Sequence, residues 1–160
     1  MTAIDYSLLE SQLIAIIGDE TDTLANTSNF IALLYNAMPD INWLGIYVLR
    51  GEELVLGPFQ GQPACVRIPV GKGVCGTAAA TLTTQRVPDV HEFPGHIVCD
   101  AASRSEIVVP LTVDGEFAGV LDIDSPVLDR FSERDQAGIE TLCETYCRLQ
   151  SGRGAAISLG

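Results

Sequence analysis

Three cysteines in the middle third of the chain, Cys65, Cys75 and Cys99, are the residues whose type and setting point most directly to chemistry. Each is bordered by glycine, proline or charge, where a purely packing role is unnatural for a thiol. The last falls in the run His91-Glu92-Phe93-Pro94-Gly95-His96-Ile97-Val98-Cys99-Asp100, a loop with two histidines, a Phe-Pro-Gly turn, a thiol and a carboxylate. Binding and catalytic groups concentrate on such loops when a rigid scaffold holds them. Three thiols that can meet in space serve either redox chemistry or metal binding. Cys65, Cys75, His91, His96 and Cys99 are all zinc-ligand types, but no Cys-x-x-Cys or His-x-x-x-His spacing joins them. The set matches no zinc ribbon or finger, and no metal is expected.

A second group is acidic. Asp122 and Asp124 alternate among Val120, Leu121 and Ile123, so on a strand both point to one face, and Glu106 opens another apolar stretch. Carboxylates on a partly buried face are costly unless they bind something cationic, and their mutual repulsion raises at least one pKa. For Asp124 alone, which precedes Ser125-Pro126, a turn-capping role is the simpler reading. Trp43 and Tyr47 are four apart on one strand and share a face, as core residues or as the wall of an apolar slot. Cys143 and Cys147 share a face of the last helix and read as small core hydrophobes. The string Gly71-x-Gly73-x-x-Gly76 has no βαβ unit with a ribose-binding acid behind it, so no dinucleotide and no other cofactor is expected.

The elements that must position these groups follow from periodicity. Leu8, Leu9, Leu13, Ile16 and Ile17 place a helix over 6–17. A second helix, capped by Asp22 or Thr21 and stopped by Pro39, turns Leu24, Phe30, Leu33 and Leu34 inward. Strands are expected over 42–50, 54–59 and 65–68, a short helix over 77–82, then the Cys99 loop. Strands over 106–112 and 116–124 are joined by the hairpin signal Asp114-Gly115. Ser132-x-x-Asp135 resembles a capping box and starts a last helix reaching Gln150. The order predicts an α+β fold: a central antiparallel sheet, helices packed on one face, and a loop-covered ligand cavity on the other. Residues 1–150 are expected to form a single domain and 151–160 a flexible tail.

The chain has 160 residues and a net charge of −12, so nucleic acid and anionic membranes are poor partners. No apolar run reaches membrane-spanning length, and the start of the sequence lacks the basic and apolar blocks of a signal peptide, so a cytoplasmic location is expected. Thiols there stay reduced unless they are catalytic or sensing, and five cysteines cannot all pair within one chain.

Six motifs, in this order along the chain, carry a resemblance: Asn42-Trp43-x-Gly45-x-Tyr47, Leu56-Gly57-Pro58-Phe59-Gln60-Gly61, Gly73-Val74-Cys75-Gly76-Thr77, Phe93-Pro94-Gly95-His96-Ile97-x-Cys99-Asp100-Ala101, Ser105-Glu106-Ile107-Val108-Val109-Pro110 and Leu121-Asp122-Ile123-Asp124-Ser125. Together they resemble the free methionine-(R)-sulfoxide reductases, a catalytic branch of the GAF domain fold. The resemblance implies a GAF-like fold and reduction of free L-methionine (R)-sulfoxide to methionine, with thioredoxin reducing the resulting disulfide. It implies that Cys99 is the catalytic cysteine, Cys65 the usual resolving cysteine and Cys75 the third member of the set. Glu106, Asp122 and Asp124 would bind substrate, and Trp43 and Tyr47 would hold its methyl group. A homodimer is common for this architecture.

The residues themselves can support those roles. A sulfoxide sulfur is electrophilic when its oxygen is polarised or protonated, so the reaction needs a thiolate on one side and an acid on the other. Cys99 can supply the thiolate, aided by Arg104, His91, His96 or loop amides. Glu106, its proton affinity raised by Asp124, is the expected acid. A neighbouring thiol then condenses with the sulfenic acid left on Cys99. The alternative is a non-catalytic GAF domain that senses a small molecule or thiol redox state.

Overall fold

The computed structural model describes residues 3–152, so most of the expected 151–160 tail lies outside the described residues. Six antiparallel strands form one sheet in the order β3-β2-β1-β6-β5-β4: β1 (Trp43–Arg50), β2 (Glu53–Gly61), β3 (Arg67–Pro69), β4 (Gln85–Val87), β5 (Ser105–Val113) and β6 (Glu116–Ser125). Helices α1 (Tyr6–Ile17), α2 (Thr23–Ala37) and α4 (Glu133–Gln150) cover one face, and short α3 (Gly73–Thr81) packs on the other. This is the α+β architecture expected, with a GAF fold.

Strand alternation sorts the side chains. Leu44, Ile46 and Val48 of β1, Ile107, Val109 and Leu111 of β5, and Leu121 and Ile123 of β6 face the three long helices. Trp43 and Tyr47, Val108, and Val120 belong to the cluster on the opposite face. Glu106 pairs with Asp124 and Val108 with Asp122 across β5–β6, so the three carboxylates share that second face. Because both faces are covered, the central strands read as nearly unbroken apolar runs rather than as alternating ones.

The helix side is closed by satisfied polar groups. Ser132 and Asp135 form the expected capping box, and Asp135 also accepts from the Tyr6 hydroxyl at 2.7 Å and Arg130 Nη1 at 3.2 Å, joining α1 to α4. The Tyr146 ring stacks on Phe30 at 4.6 Å, and its hydroxyl hydrogen-bonds Thr27 Oγ1 at 2.5 Å. The Asp114-Gly115 turn joins β5 to β6, and the Asp114 carboxylate accepts from the Ser151 hydroxyl and from the Gly152 N–H, tying the hairpin to the end of α4.

Several sequence expectations shift. Leu24 is 49% exposed rather than inward, because Asn26 and Thr27 take the inward arc of α2 beside Phe30, Ile31 and Leu34. On α1 the buried stripe is Leu9, Leu13 and Ile17, while Leu8 and Ile16 flank it and are exposed. Helix α3 starts at Gly73 rather than residue 77, and β3 begins at Arg67, leaving Cys65 in the connection that precedes it.

Candidate active site

The acidic floor is built from β5 and β6. Glu106 and Asp122 are buried, and together with the Cys75 thiol at the start of α3 their polar atoms lie within 4.8 Å of one another. The Cys75 S–H points to Glu106 Oε1 at 3.9 Å. Desolvation pushes the Cys75 thiol well above its ordinary value, and the charges of Asp122 and Glu106 add to this. Burial likewise holds Glu106 and Asp124 well above the ordinary carboxylate range, with Asp122 the next cause for both. Asp122 is raised by burial to about 6, its contacts with Glu106 and Cys75 restraining the rise. One oxygen of Asp122, Oδ1, is buried with no hydrogen-bond partner. Burial and mutual repulsion thus favour the protonated forms on this floor, and an incoming cation would reverse that preference.

The aromatic wall comes from β1. The Trp43 and Tyr47 rings stack at 5.8 Å, and Phe59 backs the indole at 5.3 Å. Gly45 makes this possible: a Cβ there would lie 2.4 Å from the Trp43 ring and 2.5 Å from Phe59 Cβ. Both rings also carry a polar handle. Trp43 Nε1 donates to the Gln62 carbonyl at 3.1 Å, and the Tyr47 hydroxyl donates to the Cys65 carbonyl at 2.9 Å. The segment leading to Cys65 is thus pinned to the aromatic wall.

Cys65 and Cys99 are joined in a disulfide at the rim, with Cα atoms 5.4 Å apart, closing the connection before β3 onto the Cys99 loop. Cys75, Cys143 and Cys147 are free and buried; the last two lie in the helix-side core. The Cys99 loop is anchored from below. Asn42 Nδ2 donates to Asp100 Oδ2 at 3.1 Å and to Ser103 Oγ at 3.3 Å, and the Arg104 N–H donates to the Ser125 carbonyl at 2.7 Å. Ile97 packs against Gly73, whose φ of +64° suits glycine and whose missing Cβ leaves room for that side chain.

The cavity between these parts is lined by Trp43, Tyr47, Cys75, Cys99, Glu106 and the two β6 carboxylates, and measures about 40 Å³. All eight expected site residues therefore converge here: seven line the cavity, and Cys65 is bonded to one of them. The five-residue zinc set does not assemble, because Cys65 and Cys99 are bonded to each other and His91 faces solvent with Nδ1 3.0 Å from Asp89. His96 does line the cavity, its Nε2 3.8 Å from Glu106 Oε2. Burial lowers the His96 pKa and raises that of Glu106, which disfavours an ion pair between them. Sequence reasoning missed the Asn42 clamp and both ring anchors. Asn42 stood at the head of the Asn42-Trp43-x-Gly45-x-Tyr47 motif, but nothing there marked its reach to the Cys99 loop.

A family model for the GAF domain matches residues 12–146. The free methionine-R-sulfoxide reductase of Escherichia coli is 56% identical over 137 residues, covering 86% of this chain and 83% of that protein. This chain belongs to the GAF domain family, in the branch of the free methionine-R-sulfoxide reductases. Among solved structures, fRMsr of Staphylococcus aureus in complex with substrate superposes with a TM-score of 0.89 at 48% identity, covering 94% of this chain and 99% of that one. The free methionine-R-sulfoxide reductase from Neisseria meningitidis in complex with its substrate gives 0.88 at 43% identity, covering 94% and 93%. Such coverage aligns the GAF core with its relatives from α1 through α4.

Proposed function

We propose that this chain reduces free L-methionine (R)-sulfoxide to methionine as a single catalytic domain, with the side chains gathered at the cavity doing the work. The observation that carries this reading is the Cys65–Cys99 disulfide at the rim of a cavity floored by three carboxylates. The named activity of relatives at 56% and 45% identity supports it.

In the reduced enzyme the substrate's α-ammonium enters the floor of Glu106, Asp122 and Asp124, where Asp122 and Asp124 hold it by charge-assisted hydrogen bonds while Glu106 keeps its proton. A substrate acylated at nitrogen cannot fill this role and leaves buried acceptors unpaired, which gives strong discrimination. The methyl group lies against Trp43 and Tyr47. The Cys99 thiolate attacks the sulfoxide sulfur while a floor carboxyl, Glu106 in this reading, protonates the oxygen. The S–O oxygen passes to Cys99, which becomes a sulfenic acid as methionine forms. The Cys65 thiol then attacks the Cys99 sulfur, releasing water and forming the disulfide. Thioredoxin's dithiol reduces that bond by exchange, so one dithiol is oxidised per sulfoxide reduced.

Cys75 Sγ lies 3.9 Å from Glu106 Oε1 while Cys65 is the residue bonded to Cys99, which favours Cys65 over Cys75 as the first resolving thiol. The test is methionine formation from the free (R)-sulfoxide with thioredoxin, its reductase and a nicotinamide donor. Thiols are counted before and after one equivalent of sulfoxide without reductant. Loss of two thiols, mapped to Cys65 and Cys99, is expected. Sulfoxide binding without methionine formation would instead make the protein a sensor.

A further inference from the structure

The floor of this cavity has the composition of a soft-metal site as well as of an ammonium site. Cys75 Sγ and one oxygen each from Glu106 and Asp122 converge within 4.8 Å, and all three residues are buried. Independently of that clustering, Asp122 Oδ1 has no donor although Asp122 is only 6% exposed and lines the cavity. A buried acceptor left without a partner is costly, and a cation is one of the few guests that removes the cost. His96 adds an imidazole at the cavity wall, with Nε2 facing Glu106.

We propose that Cys75, Glu106 and Asp122 bind one borderline-soft divalent cation, Zn²⁺ or its spectroscopic substitute Co²⁺, in the place where the substrate's ammonium group sits. Thiolate, carboxylate and imidazole are ordinary zinc donors, whereas Mg²⁺ and Ca²⁺ prefer oxygen-only shells. Binding needs the Cys75 thiolate and ionised carboxylates, so metal uptake must expel protons into solution. Exclusion of substrate by the metal rests on the placement of the ammonium group proposed above; metal binding through Cys75 does not.

The experiment uses Co²⁺ with the disulfide form of the wild-type protein, in which Cys75 is the cavity's one free thiol. One equivalent is expected to bind with a near-ultraviolet sulfur-to-cobalt charge-transfer band and release of at least one proton per ion. Cys75→Ser should abolish the band, and Asp122→Asn should weaken Co²⁺ binding at least tenfold while circular dichroism and melting remain those of a folded protein. No band, or a band unchanged by Cys75→Ser, overturns the proposal. A second protein carrying Cys65→Ser and Cys99→Ser cannot turn over and keeps Cys75. Free methionine (R)-sulfoxide should displace Co²⁺ from it, bleaching the band, while the N-acetylated sulfoxide should not. If the band forms through Cys75 but the free sulfoxide leaves it untouched, the shared location fails and with it the ammonium placement. If methionine is produced normally yet no Co²⁺ binds, the metal site alone fails.

Discussion

The two faces of the sheet bury similar materials and treat them differently. On the helix side, Asp135 takes bonds from Tyr6, Arg130 and Ser132, and the Thr27 and Tyr146 hydroxyls bond each other. The thiols there, Cys143 and Cys147, are pushed up by burial and sit in apolar packing. On the cavity side, three carboxylates and a thiol crowd together and one Asp122 oxygen has no partner. A fold can carry such a concentration of unfavourable charge when the opposite face supplies the stability. The helix side is the part of this molecule that holds it together, and the cavity side is the part proposed to react.

The sharpest break of that contrast is Cys99→Ser. It should lower kcat for methionine formation by at least ~10³-fold, because it removes the proposed nucleophile. Cys143→Ala and Cys147→Ala should leave kcat within about twofold and lower only the melting temperature, since a buried structural cysteine is inert. Equal losses from both faces would erase the distinction. Next comes the floor. Glu106→Gln or Asp124→Asn should lower kcat/KM by about 10²-fold, the scale of a lost charge-assisted hydrogen bond, as measured by steady-state kinetics on the free sulfoxide. Removing the indole in Trp43→Ala should raise KM about tenfold and affect kcat less, because it takes away binding rather than chemistry. Collapse of kcat with unchanged KM would move Trp43 out of the methyl slot.

A gentler probe is acidity. Folded Asp122 keeps its proton up to about pH 6, while the unfolded chain loses it near 3.8. The stabilisation is therefore complete below the unfolded value and is lost as pH rises through about 6. The melting temperature of the substrate-free protein should rise on acidification from about pH 7 to about pH 5, and Asp122→Asn should flatten that rise and melt higher at pH 7. The smallest effect is expected on the quiet face. Thr27→Val should cost about 1–3 kcal/mol in a denaturant titration, because it strands the Tyr146 hydroxyl, with no change in KM.

Much of this arrangement was legible in the sequence, for physical reasons that differ from residue to residue. The β5–β6 hairpin announced itself through Asp114-Gly115, whose two positive φ values are what such a turn requires. The capping box fixed the start of α4 at Ser132. Period-two spacing placed Asp122 with Asp124, and Trp43 with Tyr47. What stayed hidden was long-range or very short. β4 is only three residues, too few for any alternation to register. Asn42 reaches a loop 58 positions away, and the Tyr47 hydroxyl reaches a carbonyl 18 positions away. Bonds of that kind are invisible to periodicity, since a backbone carbonyl has no residue type to betray it. Leu24 misled because a helix's apolar residues outnumber the inward positions, and Asn26 and Thr27 held two of those through their own hydrogen bonds to the Glu20 carbonyl and Tyr146.

The two ring anchors tie events that are usually treated as separate. The indole and the phenol that would cradle a methyl group also grip, through one N–H and one O–H, the strip of backbone on which the second sulfur travels. Reshaping that wall to admit a bulkier thioether cannot leave the closing of the disulfide untouched. A variant selected for a new substrate would inherit an altered redox clock, and its rate of re-arming would have to be tuned afresh.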